Sequence, residues 1–147
     1  MRLFYQNGKT YLFSTLLFLM VCVTAMGQTT LSTTFANNNG FSLVTFNFTN
    51  NNATGVVITD IASVCGASGA QAVAAYYKAS AINGAPGAIS AANGWNQFGS
   101  ANITGIANTT TTTPQPFMSG LSLVVPPGTT YGIAVQATSL RYSTLGG

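Results

Sequence analysis

Short segments in which apolar and polar residues alternate make up most of the chain beyond residue 27. In residues 41–49, Val44, Phe46 and Phe48 fall on one face of an extended strand, and the polar residues between them fall on the other. Alternation with a period of two indicates half-buried strands, and no segment shows a convincing helical period. The pattern therefore predicts an all-β fold.

Clusters of Asn, Gly and Pro separate these segments, and such residues favour turns. Strands are predicted at residues 30–35, 41–49, 56–64, 73–78, 95–106 (with a turn), 121–125 and 131–137, and a further one begins at 141–142. Residues 80–94 and 108–116 are predicted as connections. Many short strands joined by such turns are typical of an antiparallel β-sandwich, of jelly-roll or immunoglobulin-like type.

The domain organisation follows from these elements. Residues 28–147 are numerous enough to form one domain with its own core. The last predicted strand, however, starts only six residues before the end of the sequence at Gly147. A sandwich ending there would leave an unpaired strand edge, which folded proteins normally cover. We therefore expect residues 28–147 to be an incomplete domain of a longer protein.

The first 27 residues have the features of a helical secretory signal peptide. Two basic residues precede an apolar stretch at residues 12–23, which is shorter than the ~20 apolar residues of a spanning helix. Small residues, Ala25 and Gly27, occupy the two positions that a signal peptidase reads. Cleavage is predicted between Gly27 and Gln28, leaving a protein that is secreted or on the outer cell surface, with no membrane span; an uncleaved anchor is the alternative.

Charge is nearly absent from the predicted mature chain. Its ionisable acid and base side chains are Asp60, Lys78 and Arg141, for a net charge of +1, and the sequence contains no histidine. Enzymes usually need a histidine or several carboxylates for proton transfer, and metal sites need clusters of such ligands. We therefore expect no enzyme activity, no metal and no cofactor. The small net charge gives no indication of a nucleic-acid partner.

Cys65 is the single cysteine of the predicted mature chain. An exported domain often carries paired cysteines, but one cysteine cannot form an internal disulfide. The favoured interpretation is a buried thiol that packs like a small hydrophobic residue. The alternative is a partner cysteine in sequence beyond this chain.

Five residues form a candidate ligand platform, here called the aromatic platform: Trp95, Tyr76, Tyr77, Asn96 and Gln97. Aromatic rings can stack on the apolar faces of sugars, and neighbouring amides can bond the sugar hydroxyls. The alternative, which we favour, is that Trp95 and the inward-facing tyrosines fill the core, because these side chains bury large areas.

The order of several motifs resembles a β-sandwich module of secreted bacterial surface proteins. The motifs are Tyr76-Tyr77-Lys78, Trp95 with Phe98-Gly99, Leu121 with residues 126–132, and Leu140-Arg141-Tyr142. The resemblance implies a non-catalytic extracellular module of the kind that often precedes adhesive repeats or a C-terminal sorting domain. It carries no catalytic or binding residues over to this chain, which lacks the strands that the module has after Tyr142.

Two functions remain open on this basis. The first is a non-catalytic structural or adhesive module of the cell surface, whose partners would be surface glycans or other extracellular proteins. The second is a carbohydrate-binding module that uses exposed aromatic residues and is attached to a hydrolase in the full-length protein. In either case we expect self-association through sheet edges, because no charged residues guard them.

Overall fold

The computed structural model of the protein describes residues 28–32, 39–105 and 114–142. The chain divides into two units, residues 1–33 and 34–147. In the first unit only residues 28–32 are described, and they form neither helix nor strand. The predicted signal peptide, including Gly27, lies outside the described residues, as does most of the predicted strand at 30–35.

The second unit is an all-β antiparallel β-sandwich, as the alternation predicts. One 3-10 turn, Ala91–Asn93, accompanies its strands. The strands within the described ranges are β1 (Asn39–Thr49), β2 (Val56–Ile58), β3 (Ile61–Cys65), β4 (Gly69–Lys78), β5 (Asn96–Gly105), β6 (Gln115–Met118), β7 (Leu123–Val125) and β8 (Thr130–Tyr142).

The strands form two antiparallel sheets. The large sheet has the order β5-β4-β8-β3-β6, with β1 also paired to β8, and the small sheet consists of β2 and β7. Strand β8 is the centre of the large sheet. It pairs with β1 along one side, while β4 and β3 share the other side.

The position of β8 corrects the prediction for residues 141–142. These residues continue β8 and do not begin a new strand. Arg141 pairs with Gly40 of β1 on one side and with Val64 of β3 on the other. This part of the chain is therefore an interior strand of the sheet, and the unpaired edge that the sequence suggested is not found here.

Two further boundaries differ from the prediction. The strand predicted at residues 56–64 divides at Thr59-Asp60, so that β2 enters the small sheet and β3 the large one. The backbone N–H of Leu121 donates to the carbonyl of Thr59 at this crossing, at 2.8 Å.

Strand β6 lies partly within the predicted connection at 108–116. Its Pro116 is tolerated because the pairing with β3 is irregular there.

The core is one cluster of buried side chains from both sheets. It comprises Cys65, Val73, Ala75, Phe117, Met118, Leu123, Ile133, Val135, Ala137 and Leu140. Cys65 is a free, buried thiol, and its Sγ donates to the carbonyl of Ala67 at 3.2 Å. This agrees with the interpretation of Cys65 as a packed residue.

A buried asparagine joins the two turns at one end of the sandwich. The Asn50 side chain donates from Nδ2 to the carbonyls of Thr54 and Val125, both at 2.9 Å. Its Oδ1 accepts from the backbone N–H of Asn52 at 3.0 Å. The Asn50 backbone also bonds to the β7–β8 turn, through Thr129 and Gly128. One side chain therefore satisfies backbone groups of several segments.

Candidate functional site

The structure buries Trp95, the largest ring of the aromatic platform. Its side chain is 2% exposed, and it is not a member of the main core cluster. Its backbone N–H donates to the carbonyl of Ser90 at 3.1 Å, where the 3-10 turn and Gly94 reverse the chain. This burial agrees with the favoured interpretation, in which Trp95 packs in the interior, and it removes Trp95 from any exposed platform.

The two tyrosines of the aromatic platform lie on opposite faces of β4. The Tyr77 ring stacks on Tyr131, with centroids 5.6 Å apart and an interplanar angle of 13°, and meets the edge of Phe98 at 6.1 Å. These contacts are part of the packing around the core. Tyr76 points to the other face and is half-buried, opposite the exposed Gln97 of β5.

The structure therefore does not unite the five predicted residues into one flat surface. It brings Tyr76 and Gln97 together across β4 and β5, and it pairs Tyr77 with the exposed Asn96. Tyr77 contributes to packing, and Trp95 is inaccessible. The pleat of β4 decides this separation, because adjacent residues of a strand point to opposite faces.

A different surface on the large sheet is concave. It is an open concavity of about 590 Å³ on the face of the sheet opposite the core, and we call it the polar groove. Its lining consists of Ser42, Ala72, Val73, Ala74, Ser100, Ala101, Asn102, Gln136, Ala137 and Thr138. Four strands, β1, β8, β4 and β5, contribute to it.

The floor of the polar groove follows from the alternation in β4. Val73 and Ala75 belong to the core, so Ala72 and Ala74 face the other way. Ala74 pairs with Gln136 of β8 on one side. On the other side β5 places Ser100 opposite Ala74 and Asn102 opposite Ala72. Short alanines flanked by longer polar side chains produce the concave shape.

The connection between β4 and β5 covers the neighbouring part of the same sheet face. Its Ile82 backbone is held by the Asn47 side chain, which accepts from the Ile82 N–H at 2.8 Å and donates to its carbonyl at 3.2 Å. The N–H of Gly132 donates to the carbonyl of Ser80 at 2.9 Å. A Cβ at Gly132 would lie 2.6 Å from Cγ1 of Ile82, so the loop packs directly on the strand.

The polar groove carries no ionisable side chain. Lys78 lies at the end of β4, where its stem is close to Gly94: a Cβ there would be 3.5 Å from Lys78 Cε. Arg141 is half-buried, with its guanidinium beside Gly66, and Asp60 lies between β2 and β3. The lining therefore offers hydroxyls, amides and methyl groups.

Residues 28–32, 39–105 and 114–142 contain no group of three or more His, Cys, Asp or Glu side chains able to hold a metal ion. Within the same ranges, no helix has the length and apolarity needed to cross a bilayer.

Sequence reasoning did not identify the polar groove. The alanines at 72 and 74 alternate with core residues, so their outward direction can be read from the sequence. The flanking residues come from distant positions, however, and only the strand order places Gln136 and Asn102 on either side of β4.

Fold and groove together define a class: a β-sandwich with an uncharged, hydroxyl- and amide-lined sheet face. Comparisons of the chain with protein-family models, curated proteins and solved structures found no match. The resemblance to secreted bacterial surface modules therefore stays a prediction.

Proposed function

We propose that this protein is a non-catalytic β-sandwich module, secreted or held on the outer cell surface, with a structural or adhesive role. The signal-like N-terminal residues support export. The fold supports a rigid module, because β8 pairs on both sides and connects most strands of the large sheet. Neutral polar residues supply the chemistry of the polar groove on its large sheet.

The distribution of ionisable groups is the observation that carries this proposal. Asp60, Lys78 and Arg141 lie on different strands or connections, and none of them lines the polar groove. Proton transfer in catalysis needs a titratable group within hydrogen-bond reach of the reacting atoms. A surface of hydroxyls and amides can bind a partner, but it has no such group to offer.

Two measurements on the full chain test this proposal. Protease added to intact expressing cells should digest the chain, as expected for a protein displayed outside the cell. Immobilised chain should retain cells or extracellular material from the host without releasing low-molecular-weight products. Resistance to external protease in intact cells would contradict export, and turnover of a substrate by the purified chain would contradict a non-catalytic role.

Signal cleavage gives a specific prediction. In a secreting host, the mature N-terminus should be Gln28, which intact-mass measurement detects as the loss of residues 1–27. Gly27→Leu should abolish this product, because the peptidase requires a small residue there. Gln28→Ala, one position further, should leave cleavage intact. Export of an uncleaved wild-type chain would favour the alternative of an N-terminal anchor.

Self-association through β1 is a second prediction. Strand β1 pairs with β8 along one side; among the described residues no strand pairs with its other side. Its eleven residues include no charge, and Phe41 is 63% exposed. Unguarded edges pair readily with other strands. Sedimentation velocity on the mature chain should therefore show mass increasing with concentration.

Two lysine variants distinguish association through the β1 edge from a general effect of net charge on association. Phe41→Lys places a charge on β1 and should shift the protein towards monomer. Thr54→Lys adds the same charge in the exposed β1–β2 turn and should leave association unchanged. A wild-type chain that stays monomeric at high concentration would refute the prediction, as would equal effects of the two lysines.

A further inference from the structure

We propose that the polar groove binds a segment of an uncharged polysaccharide. This inference deepens the proposed surface role and rests on it, because the ligand would be an extracellular glycan. It differs from the aromatic platform in both place and chemistry: the groove lies beside Ala72 and Ala74, and its recognition relies on hydroxyls and amides.

The shape of the groove suits an extended chain. Its volume of about 590 Å³ lies within the ~300–1,000 Å³ range of small-ligand sites. The methyl groups of Ala72 and Ala74 form a low floor across β4, so a ligand can approach the sheet closely. The groove is open and not enclosed, which allows a long polymer to pass through with only a few of its units in contact.

The hydrogen-bonding groups of the lining are available to a ligand. Asn102 and Gln136 are exposed, and neither side chain bonds to another residue in the part of the chain that the structure describes. Each amide offers donors and an acceptor, and the hydroxyls of Ser100 and Thr138 do both. Sugar hydroxyls also donate and accept, so the two sets are complementary.

The groove lining has no charged side chain, and this favours some classes of ligand over others. An acidic polymer or a phosphate ligand would normally be held by Lys or Arg, and neither lines the groove. An apolar peptide would need an apolar lining, whereas this groove presents amides, hydroxyls and methyl groups. A neutral, hydroxyl-rich chain is the ligand whose chemistry matches.

Calorimetric titration of the mature chain tests the proposal. The probes are neutral hexasaccharides of β-1,4-glucose, β-1,4-mannose and α-1,4-glucose, with hexagalacturonate as the acidic comparison. Asn102→Leu and Gln136→Leu each keep a similar size but remove an amide, and each should weaken binding of the preferred neutral probe about tenfold. Asn51→Leu removes an exposed amide from the β1–β2 turn and should have no effect.

The outcomes are distinguishable. Binding of a neutral hexasaccharide that is weakened by both groove variants but not by Asn51→Leu, with unchanged circular dichroism, supports the proposal. Absence of binding to every neutral probe, a preference for hexagalacturonate, or equal affinity of wild type and groove variants overturns it. A groove variant that instead abolishes self-association would assign the surface to a second copy and also overturn it. If the groove proposal is overturned, the proposed surface role is still tested separately, by the measurements of export and of substrate turnover.

Discussion

Replacing Phe117 by alanine is expected to lower the free energy of unfolding by about 3–5 kcal/mol, a typical cost of removing a buried phenyl ring. Phe117 is 2% exposed and belongs to the core cluster. Its removal leaves a cavity that rigid strands can close only in part. Since domains of this size are stable by about 5–15 kcal/mol, the substitution should remove a large share of the free energy of unfolding. Urea titration followed by circular dichroism measures the change.

Two controls show whether the loss comes from burial. Phe117→Leu keeps most of the volume and should cost less than about 1.5 kcal/mol. Phe41→Ala makes the same substitution at a ring that is 63% exposed, and it should change stability by less than about 1 kcal/mol. Equal losses for Phe117→Ala and Phe41→Ala would show that β6 does not pack into the core as described.

The second large effect is expected at Asn50, where alanine should cost about 2–4 kcal/mol. Asn50 is 1% exposed, and its Nδ2 bonds two carbonyls, those of Thr54 and Val125. The Val125 carbonyl belongs to a fully buried residue, and alanine at position 50 would leave that carbonyl without the hydrogen bond from the Asn50 amide. An unsatisfied buried group costs about 1–3 kcal/mol, and Asn50 serves more than one.

The neighbouring asparagine provides the control. Asn51 is exposed, and Asn51→Ala should change the free energy of unfolding by less than about 0.5 kcal/mol. Asn50→Asp keeps the shape but replaces the donor by an acceptor, so at neutral pH it should be at least as harmful as Asn50→Ala. A stable Asn50→Asp variant would mean that the shape of this side chain matters and its donated hydrogen bonds do not.

The predicted strands were most accurate where the alternation was regular. Strand β1 was predicted almost completely, and residues 73–78 and 121–125 fall within or overlap β4 and β7. Side-chain direction within β1 is confirmed for Val44 and Phe48, which pack against the core. Phe46 is among the exposed large hydrophobic residues, so alternation alone overestimated its burial.

Strand β6 was missed for a definite physical reason. Pro116 argued against a strand, and Phe117 and Met118 are consecutive residues that are both buried, which breaks the period of two. In the pairing with β3, Ala62 is opposite Pro116 and Ile61 is opposite Met118, so Phe117 is an extra residue. Such a bulge redirects a side chain, and its position depends on the partner strand.

The candidate site, like the strands, could be predicted from the sequence only in part. The residue types pointed to hydroxyl- and amide-covered sheets, and the sequence offered an aromatic platform around Trp95 only as the less favoured interpretation. The pleat of β4 separated the two tyrosines, and Trp95 is buried. Long-range strand order then assembled the polar groove from Ala74, Gln136 and Asn102, which are far apart in the chain.

The sequence by itself determined the strand character of the protein and its near lack of charge, because both depend on residue type and short-range spacing. The tertiary structure decided that β8 is central, that Phe117 enters the core and that small residues of β4 form the floor of an open groove. Those features depend on which strands become neighbours, and strand pairing is set by the simultaneous burial of residues distant in sequence.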